Sequence, residues 1–381
     1  MSDKFEVVDI GTQRIAVFAS FSGQGGVERM LVNLCQGMVG HGYPVDLVVV
    51  KGRSQHLQGL PKEVRVIKLA ARHTLTSIFE LANYLRRERP VGMLAAKDRA
   101  SRVAIVARRL AGVKTRIVFR LGTTLSAALE GRGLLRKWAW YLPMRMIYPC
   151  ADGIVGVSQG VVDDLRGITG LPADRFRVLP NPVITPQLSE RAQASVDHPW
   201  LEQVDEPVIL GVGRLTRQKD FSTLIRAFVQ VNNQLPCRLI ILGEGRDRAQ
   251  LEELATDLGV RARVDLPGFK PNPYAYLQRA DLFVLSSAWE GSPNALTEAL
   301  ALGKPVVSTD CPSGPRETLQ GGKYGPLVEV GDVDGLAAAM LATLRAPAAP
   351  EVLKGAVRQF TMENSARGYL QLLLGRDNLV P

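Results

Sequence analysis

At 381 residues the chain is long enough for two domains of ordinary size, each burying its own core. Its 46% hydrophobic and 22% charged content is that of a globular protein, and no apolar run reaches about 18 residues, which excludes a transmembrane helix. The N-terminal MSDKFEVVDIGTQR has no signal-peptide core, and Cys35, Cys150, Cys237 and Cys311 show neither CxxC nor framework spacing, so reduced thiols in a cytoplasmic protein are expected.

The net charge of +10 is unevenly placed. Between Arg86 and Arg145 fifteen Lys and Arg stand against Glu88, Asp98 and Glu130, so the remainder of the chain is slightly acidic. In and just beyond that segment lie Trp138, Trp140, Tyr141, Met144, Met146 and Tyr148. Cations interleaved with interfacial aromatics suit attraction of residues 86–145 to an anionic membrane surface. A solvated face is the plainer alternative, and no recognised nucleic-acid motif is present, so no nucleic-acid partner is expected.

In chain order, RIAVFASF reads as a strand, Ser22-Gly23-Gln24-Gly25-Gly26 as a glycine loop, VERMLVNLCQGMVGHG as a helix and VDLVVV as a second strand, which makes a βαβ unit. The loop is not GxGxxG, so a dinucleotide fingerprint is absent. VGMLAA and RIVFR read as strands around a helix over Ala100–Ala111. Arg120 and Thr123 then fall at a strand's carboxyl end, where side chains point toward a ligand. Gly153–Ser158 is a strand, Ser158-Gln159-Gly160 opens a helix, and the polar, aperiodic run Gln187–Glu206 reads as a connection. None of His41, His56, His73 and His198 sits in a site-like context.

A second α/β series follows. PVILGVG ends at Gly213, and Arg214 and Lys219 come before a helix near Phe221. Two cations five residues apart at a strand's carboxyl end are suited to a diphosphate, although exposed loop charges are the commoner reading of any single one. LIILGEG, with Gly243 and Gly245, and VDLPGF, ending at Phe269, are further strand–turn segments. The run from Leu282 to Leu285 is a buried strand. After the turn Trp289-Glu290-Gly291, Ser292 suits an N-cap, Pro293 the first helical position, and Gly303 the helix end before Lys304-Pro305. Glu290 precedes this helix, whereas Glu298 lies inside it, one turn after Asn294. A helix N-terminus favours an anion, yet two carboxylates flank it. A ligand anionic in its middle and hydroxyl-bearing at its ends resolves the conflict, and a nucleotide-sugar has that shape.

Glu290 to Glu298, with Gly291, Pro293 and the trailing Gly303-Lys304-Pro305-Val306-Val307, resembles the Glu-x7-Glu motif of retaining glycosyltransferases, in the glycogen-synthase-like group of GT-B fold that includes family 4, group 1 and the bacterial surface-polysaccharide enzymes. Gly25-Gly26-Val27-Glu28 is similar to that family's glycine loop, Gly213-Arg214-x4-Lys219 to its diphosphate-binding segment, and Gly268-Phe269 to the segment that recognises the base. Asp310-Cys-Pro-Ser-Gly-Pro-Arg316-Glu317 resembles a subgroup using UDP-sugars. The resemblance covers essentially the whole chain, more closely in its second half.

The resemblance implies an α/β, GT-B fold with two Rossmann-like domains facing a central donor/acceptor cleft. Residues 1–185 would form the acceptor domain, with a C-terminal helix of about 362–381 packing back on it; 186–361 would form the nucleotide-sugar donor domain, with a hinge near 184–205. It further implies catalytic roles for Arg214, Lys219 and Glu290. Donor contacts would come from Gly25, Gly26, Gly213, Gly243, Phe269, Gly291, Ser292, Pro293, Asn294, Leu296 and Glu298. Glu290 would hold hydroxyls of the sugar and Glu298 those of the ribose. Arg120 and Thr123 fall on the acceptor side, where many relatives carry a histidine that this chain lacks. The expected reaction moves a hexose or N-acetylhexosamine from a UDP-sugar to a lipid-linked saccharide or lipopolysaccharide-type acceptor, with retention, no metal and no cofactor, at the inner face of the plasma membrane. A GDP-mannose donor is the alternative within the family; a nucleotide-sugar epimerase or a non-catalytic sugar-nucleotide-binding protein is the alternative outside it.

Overall fold

A computed structural model of the chain describes residues 13–21, 26–50, 55–57, 60–202 and 206–375. The chain divides into two units, one drawn from Met1–Val157, Val161–Pro182 and Met362–Pro381, the other from Ser158–Gly160 and Val183–Thr361. Val183 and Ile184 donate backbone hydrogen bonds to the Phe360 carbonyl, and Ile184 bridges Thr361, so the outgoing and returning segments are paired.

The first unit contains the strands β1 (Ile15–Ser20), β2 (Val45–Val50), β3 (Val64–Leu69), β4 (Gly92–Ala96), β5 (Arg116–Leu121), β6 (Gly153–Gly156) and β7 (Phe176–Val178). They form one parallel sheet in the order β3-β2-β1-β4-β5-β6-β7. All six positions of β2 are buried, because helices cover both faces of the sheet and leave no solvated side for a polar alternation. That burial forces an exception to be paired. Asp46, fully buried in β2, accepts hydrogen bonds from Arg14 (3.0 Å), Arg65 (3.0 and 2.7 Å) and the Tyr84 hydroxyl (2.8 Å), the only kind of setting in which a buried carboxylate is tolerated.

The last helix, Met362–Leu374, belongs to this unit. Its Ala366, Tyr369, Leu370 and Leu373 are buried in the same core as Leu34 and Met38 of the helix Gly26–Gly40. Two glycines set how closely it can approach. A Cβ at Gly37 would stand 2.8 Å from the Ala366 Cβ, and one at Gly92 would stand 2.6 Å from the Leu373 carbonyl oxygen. Polar pins complete the seat: Ser365 Oγ donates to the Pro180 carbonyl (2.8 Å) and Arg116 Nε to that of Leu372 (3.2 Å).

The second unit contains β8 (Val208–Val212), β9 (Arg238–Leu242), β10 (Val264–Gly268), β11 (Leu282–Leu285), β12 (Val306–Thr309) and β13 (Leu327–Val328). Their order, β10-β9-β8-β11-β12-β13, is again parallel. Both sheets are thus Rossmann-like, wound outward in two directions from a central pair. In each, the order reverses at that pair, between β1 and β4 in the first sheet and between β8 and β11 in the second. Such a reversal opens a crevice at the carboxyl ends of the strands.

Several elements differ from the reading of the sequence. β3 and the helix Ile78–Glu88 were not anticipated, although VRVIKL carries the β-branched signal of a strand. The run Gln187–Glu206, expected as a bare connection, contains the helices Gln187–Ala192 and Pro199–Glu202, with Leu188, Ala192 and Val196 buried. The helix near Glu290 begins at Asn294 with Pro293 as its N-cap, so Ser292 does not cap it. The first helix starts at Gly26 rather than Val27.

Candidate active site

At the reversal point of the second sheet, the loop after β8 carries Lys219 and the loop after β11 carries Glu290. Lys219 Nζ donates to Glu290 Oε1 at 2.5 Å, and Ser287 Oγ donates to the same oxygen at 2.7 Å. Both partners are largely withdrawn from solvent, with 17% and 9% of their side-chain surface accessible. In such surroundings a charge-assisted bond is far stronger than at the surface.

The loops that hold this pair are laced together. Ala288 N–H donates to the Gln218 carbonyl (2.8 Å), Gln218 Nε2 to that of Trp289 (2.9 Å) and Ser286 Oγ to that of Lys219 (2.8 Å). From the next strand, Thr309 Oγ1 donates to the Ser287 carbonyl (2.6 Å). Asp220 follows Lys219 in a left-handed conformation, φ 43°, and caps the helix Phe221–Gln234 by accepting from the Thr223 N–H and hydroxyl and from Ser222 Oγ. Left-handed backbone at a residue with a Cβ is costly. Here the cap bonds offset that cost and fix the direction in which Lys219 leaves the chain.

Glycine brings the neighbouring loops in. At Gly243, φ 143°, a Cβ would overlap the Gly213 carbonyl oxygen, so the turns after β8 and β9 meet backbone to backbone as only glycine permits. Gly243 N–H in turn donates to the Gly268 carbonyl (3.0 Å). Phe269, next in sequence, is partly exposed at that edge. Gly213, Gly243, Phe269, Lys219, Glu290 and Gly291 therefore occupy one carboxyl edge of one sheet. Arg214 shares the loop but is exposed.

The helix Asn294–Ala301 starts three residues after Gly291. Ser292 and Asn294 are half-buried at its entrance, Gly291, Pro293 and Glu298 are buried, and Leu296 is fully buried, so that the Leu296 side chain packs inward. Cys311, buried after β12, has its thiol pushed up to about 12, mainly by burial; the Glu290 charge adds to the effect and that of Lys219 opposes it. The thiol is thus a neutral neighbour of the ion pair. Arg316 forms a paired contact with Asp310 at the same edge. Among the described residues no three His, Cys, Asp or Glu side chains are grouped so as to hold a metal ion.

In the first unit the arrangement is different. Gly25 lies outside the described residues, and Gly26 is the exposed first residue of its helix. Arg120 is 2% exposed and donates to Asn181 Oδ1 inside the unit, whereas Thr123 is exposed. The two residues assigned together to the acceptor side thus part company. Sequence reasoning also missed Ser287, which shares a carboxylate oxygen with Lys219, and Asp220, whose cap signature Asp220-Phe221-Ser222-Thr223 could have revealed it. His198 is buried against Asp265 (3.0 Å) in the second unit, away from this group of loops in the chain.

Residues 24–186 match the family described as Glycosyltransferase Family 4, and residues 195–360 match Glycosyl transferases group 1. An N-acetylgalactosamine-N,N'-diacetylbacillosaminyl-diphospho-undecaprenol 4-alpha-N-acetylgalactosaminyltransferase of Campylobacter jejuni is 29% identical over 334 residues, 84% of this chain and 86% of that protein. The lipopolysaccharide core biosynthesis glycosyltransferase LpsE of Rhizobium meliloti is 29% identical over 369 residues, 93% of this chain and 98% of that protein. Among solved structures, Anabaena HepE in complex with UDP and glucose superposes with a TM-score of 0.77 at 17% identity, covering 95% of this chain and all of that one. At that identity the likeness speaks for the fold, which is GT-B.

Proposed function

Because the chain belongs to the glycosyltransferases, family 4 in its first half and group 1 in its second, we propose that it transfers a hexose or N-acetylhexosamine from a UDP-sugar to a lipid-linked saccharide or lipopolysaccharide-type acceptor in cell-surface glycan synthesis. The observation that carries this reading is the Lys219–Glu290 pair at the reversal point of the second sheet, beside the N-terminal end of the helix that holds Glu298. Support for donor and acceptor comes from the relatives: one is named for transfer to a diphospho-undecaprenol saccharide, another for lipopolysaccharide core synthesis, and a structural neighbour holds UDP and glucose.

In the proposed reaction the bond from the anomeric carbon to the β-phosphate oxygen breaks while an acceptor hydroxyl oxygen bonds to that carbon on the same face. The hydroxyl proton passes to the departing phosphate, so configuration is retained without an enzymic nucleophile. Charge grows on the diphosphate as the bond lengthens. Lys219 and Arg214 supply fixed positive charge there, and the N–H groups at Gly291–Asn294 add their dipoles. Glu290, aimed by Lys219 and Ser287, receives hydroxyls of the sugar, and Glu298 receives those of the ribose. The charge stabilisation comes from side chains and backbone, so neither metal nor cofactor is required. The protein would work at the inner face of the membrane that carries such acceptors.

A thermal-shift titration with UDP, GDP, ADP and NAD tests the reading, since a ligand bound only by the native state raises the melting temperature. UDP should stabilise the wild type and lose that effect in Glu298→Ala, which should also lose transfer. Stabilisation by GDP alone would redirect the donor to GDP-mannose, and stabilisation by NAD alone would refute the proposal.

A further inference from the structure

The helix Leu134–Ile147 has two unlike apolar faces. One is spent on the first unit. Met144 is fully buried, and Tyr141 and Ile147 pack against the core beside the 3-10 turn at Tyr148. Trp140 lies under the guanidinium groups of Arg99 and Arg102, at 5.9 and 5.8 Å, and Arg102 Nη2 also donates to the Trp140 carbonyl (3.3 Å). These contacts fix the rotation of the helix about its axis.

The other face is turned to solvent. At about 100° per residue, Leu134, Leu135, Trp138, Leu142 and Met146 fall within one third of the circumference. Leu134 and Leu135 are 86% and 87% exposed, Trp138 62% and Met146 69%. Adjacent, outward-pointing leucines beside a tryptophan are not the scatter of single apolar residues usual on a surface; they form a patch that calls for a partner.

The charges around the patch identify that partner. From residue 132 to 147 the sequence contains Arg132, Arg136, Lys137 and Arg145 and no acid. Arg132, Arg136 and Arg145 are exposed, as is Arg99 on the neighbouring helix. A second copy of this face would bring like charges together, and a nucleic acid has no use for tandem leucines. A surface with apolar interior and anionic headgroups satisfies both features at once. Fourteen residues make a helix of about 21 Å, too short to span a bilayer, and the fixed inner face keeps it parallel to the body of the unit.

We propose that the outward face of the helix Leu134–Ile147 seats the protein on an anionic lipid surface, with Leu134, Leu135 and Trp138 entering the acyl boundary and the surrounding arginines meeting headgroups. This rests on the reading above in one respect, that a lipid-linked acceptor lies at such a surface. The test is independent of sugar transfer: full-length chain is sedimented with phosphatidylcholine vesicles, with and without phosphatidylglycerol. The wild type should bind the anionic vesicles, be released by high salt, and leave the neutral vesicles largely unbound. The triple variant Leu134→Ser/Leu135→Ser/Trp138→Ser should partition at least about tenfold more weakly while keeping its stabilisation by UDP. Equal partitioning of variant and wild type would overturn the proposal. So would a wild-type dimer that the same substitutions make monomeric, since the face would then belong to a second copy. A normal UDP response without vesicle binding removes the lipid surface alone; vesicle binding without a UDP response removes the donor reading and leaves the surface standing.

Discussion

The two units share a winding order and differ in what they place at the carboxyl edge of the sheet. In the second unit that edge is dense with internal bonds: Lys219, Glu290 and Ser287 are joined, Gln218, Ser286 and Thr309 tie three loops together, and Gly243 lets two turns touch. In the first, Arg120 is drawn inward to Asn181, Thr123 is left in solvent, and the apolar investment goes to an outward-facing helix. The same topology therefore carries a densely bonded polar edge in one unit and an exposed apolar helix face in the other. Topology supplies the crevice, and the loops decide its use.

The largest effect should come from the densely bonded edge. Lys219→Ala should lower turnover by on the order of 10²–10³-fold, the loss seen when one charge-stabilising group is removed, and should also lower the melting temperature, because it leaves the buried Glu290 carboxylate with the Ser287 hydroxyl in place of its cation. Turnover within a few-fold of wild type would break the contrast by showing that the laced loops are scaffolding only.

A smaller effect, and on stability instead, is expected in the first unit. Leu373→Ala empties a fully buried position where the last helix meets Gly92 and should cost about 2–5 kcal/mol. Calorimetry in the presence of UDP should show the first unit melting earlier while the second keeps its ligand protection. A single shared transition lowered as a whole would mean that the two units are energetically one.

At neutral pH the smallest effect is that of the thiols. Burial pushes Cys35, Cys237 and Cys311 up to about 12 from an ordinary 9.0. The folded protein then holds protons that the unfolded chain has released, so stability present below pH 9.0 should fall as pH rises from 9.0 toward about 12. At neutral pH, alkylation of the native protein should reach the half-buried Cys150 first. Early labelling of Cys311 would show that the site edge opens, and would soften the contrast between the units.

Much of this architecture is legible locally. Runs such as VDLVVV and LIIL, apolar and rich in β-branched residues, read as buried strands, and Gly303 after Ala301-Leu302 reads as a helix end; both readings rest on backbone sterics and solvation within a few residues. The loops that carry Gly-Arg-x4-Lys and Glu-x7-Glu stand out for another reason, their resemblance to the motifs of a known family. β3 was missed because a half-exposed edge strand carries Arg65 and Lys68 among its apolar residues, which weakens the apolar run that marks a central strand.

What tertiary structure alone decided are the partnerships. Lys219 and Glu290 are 71 residues apart, and nothing near either one says that they neutralise each other. Arg120 reads as a ligand-facing cation until Asn181, 61 residues on, takes it inward. Trp138 and Trp140 look alike in sequence, yet one is stacked under two arginines and the other stands in solvent. Local sequence carries propensity and periodicity, whereas the choice of partner depends on which distant side chain the sheet order delivers to the same few ångströms. That order is set by the packing of the whole chain.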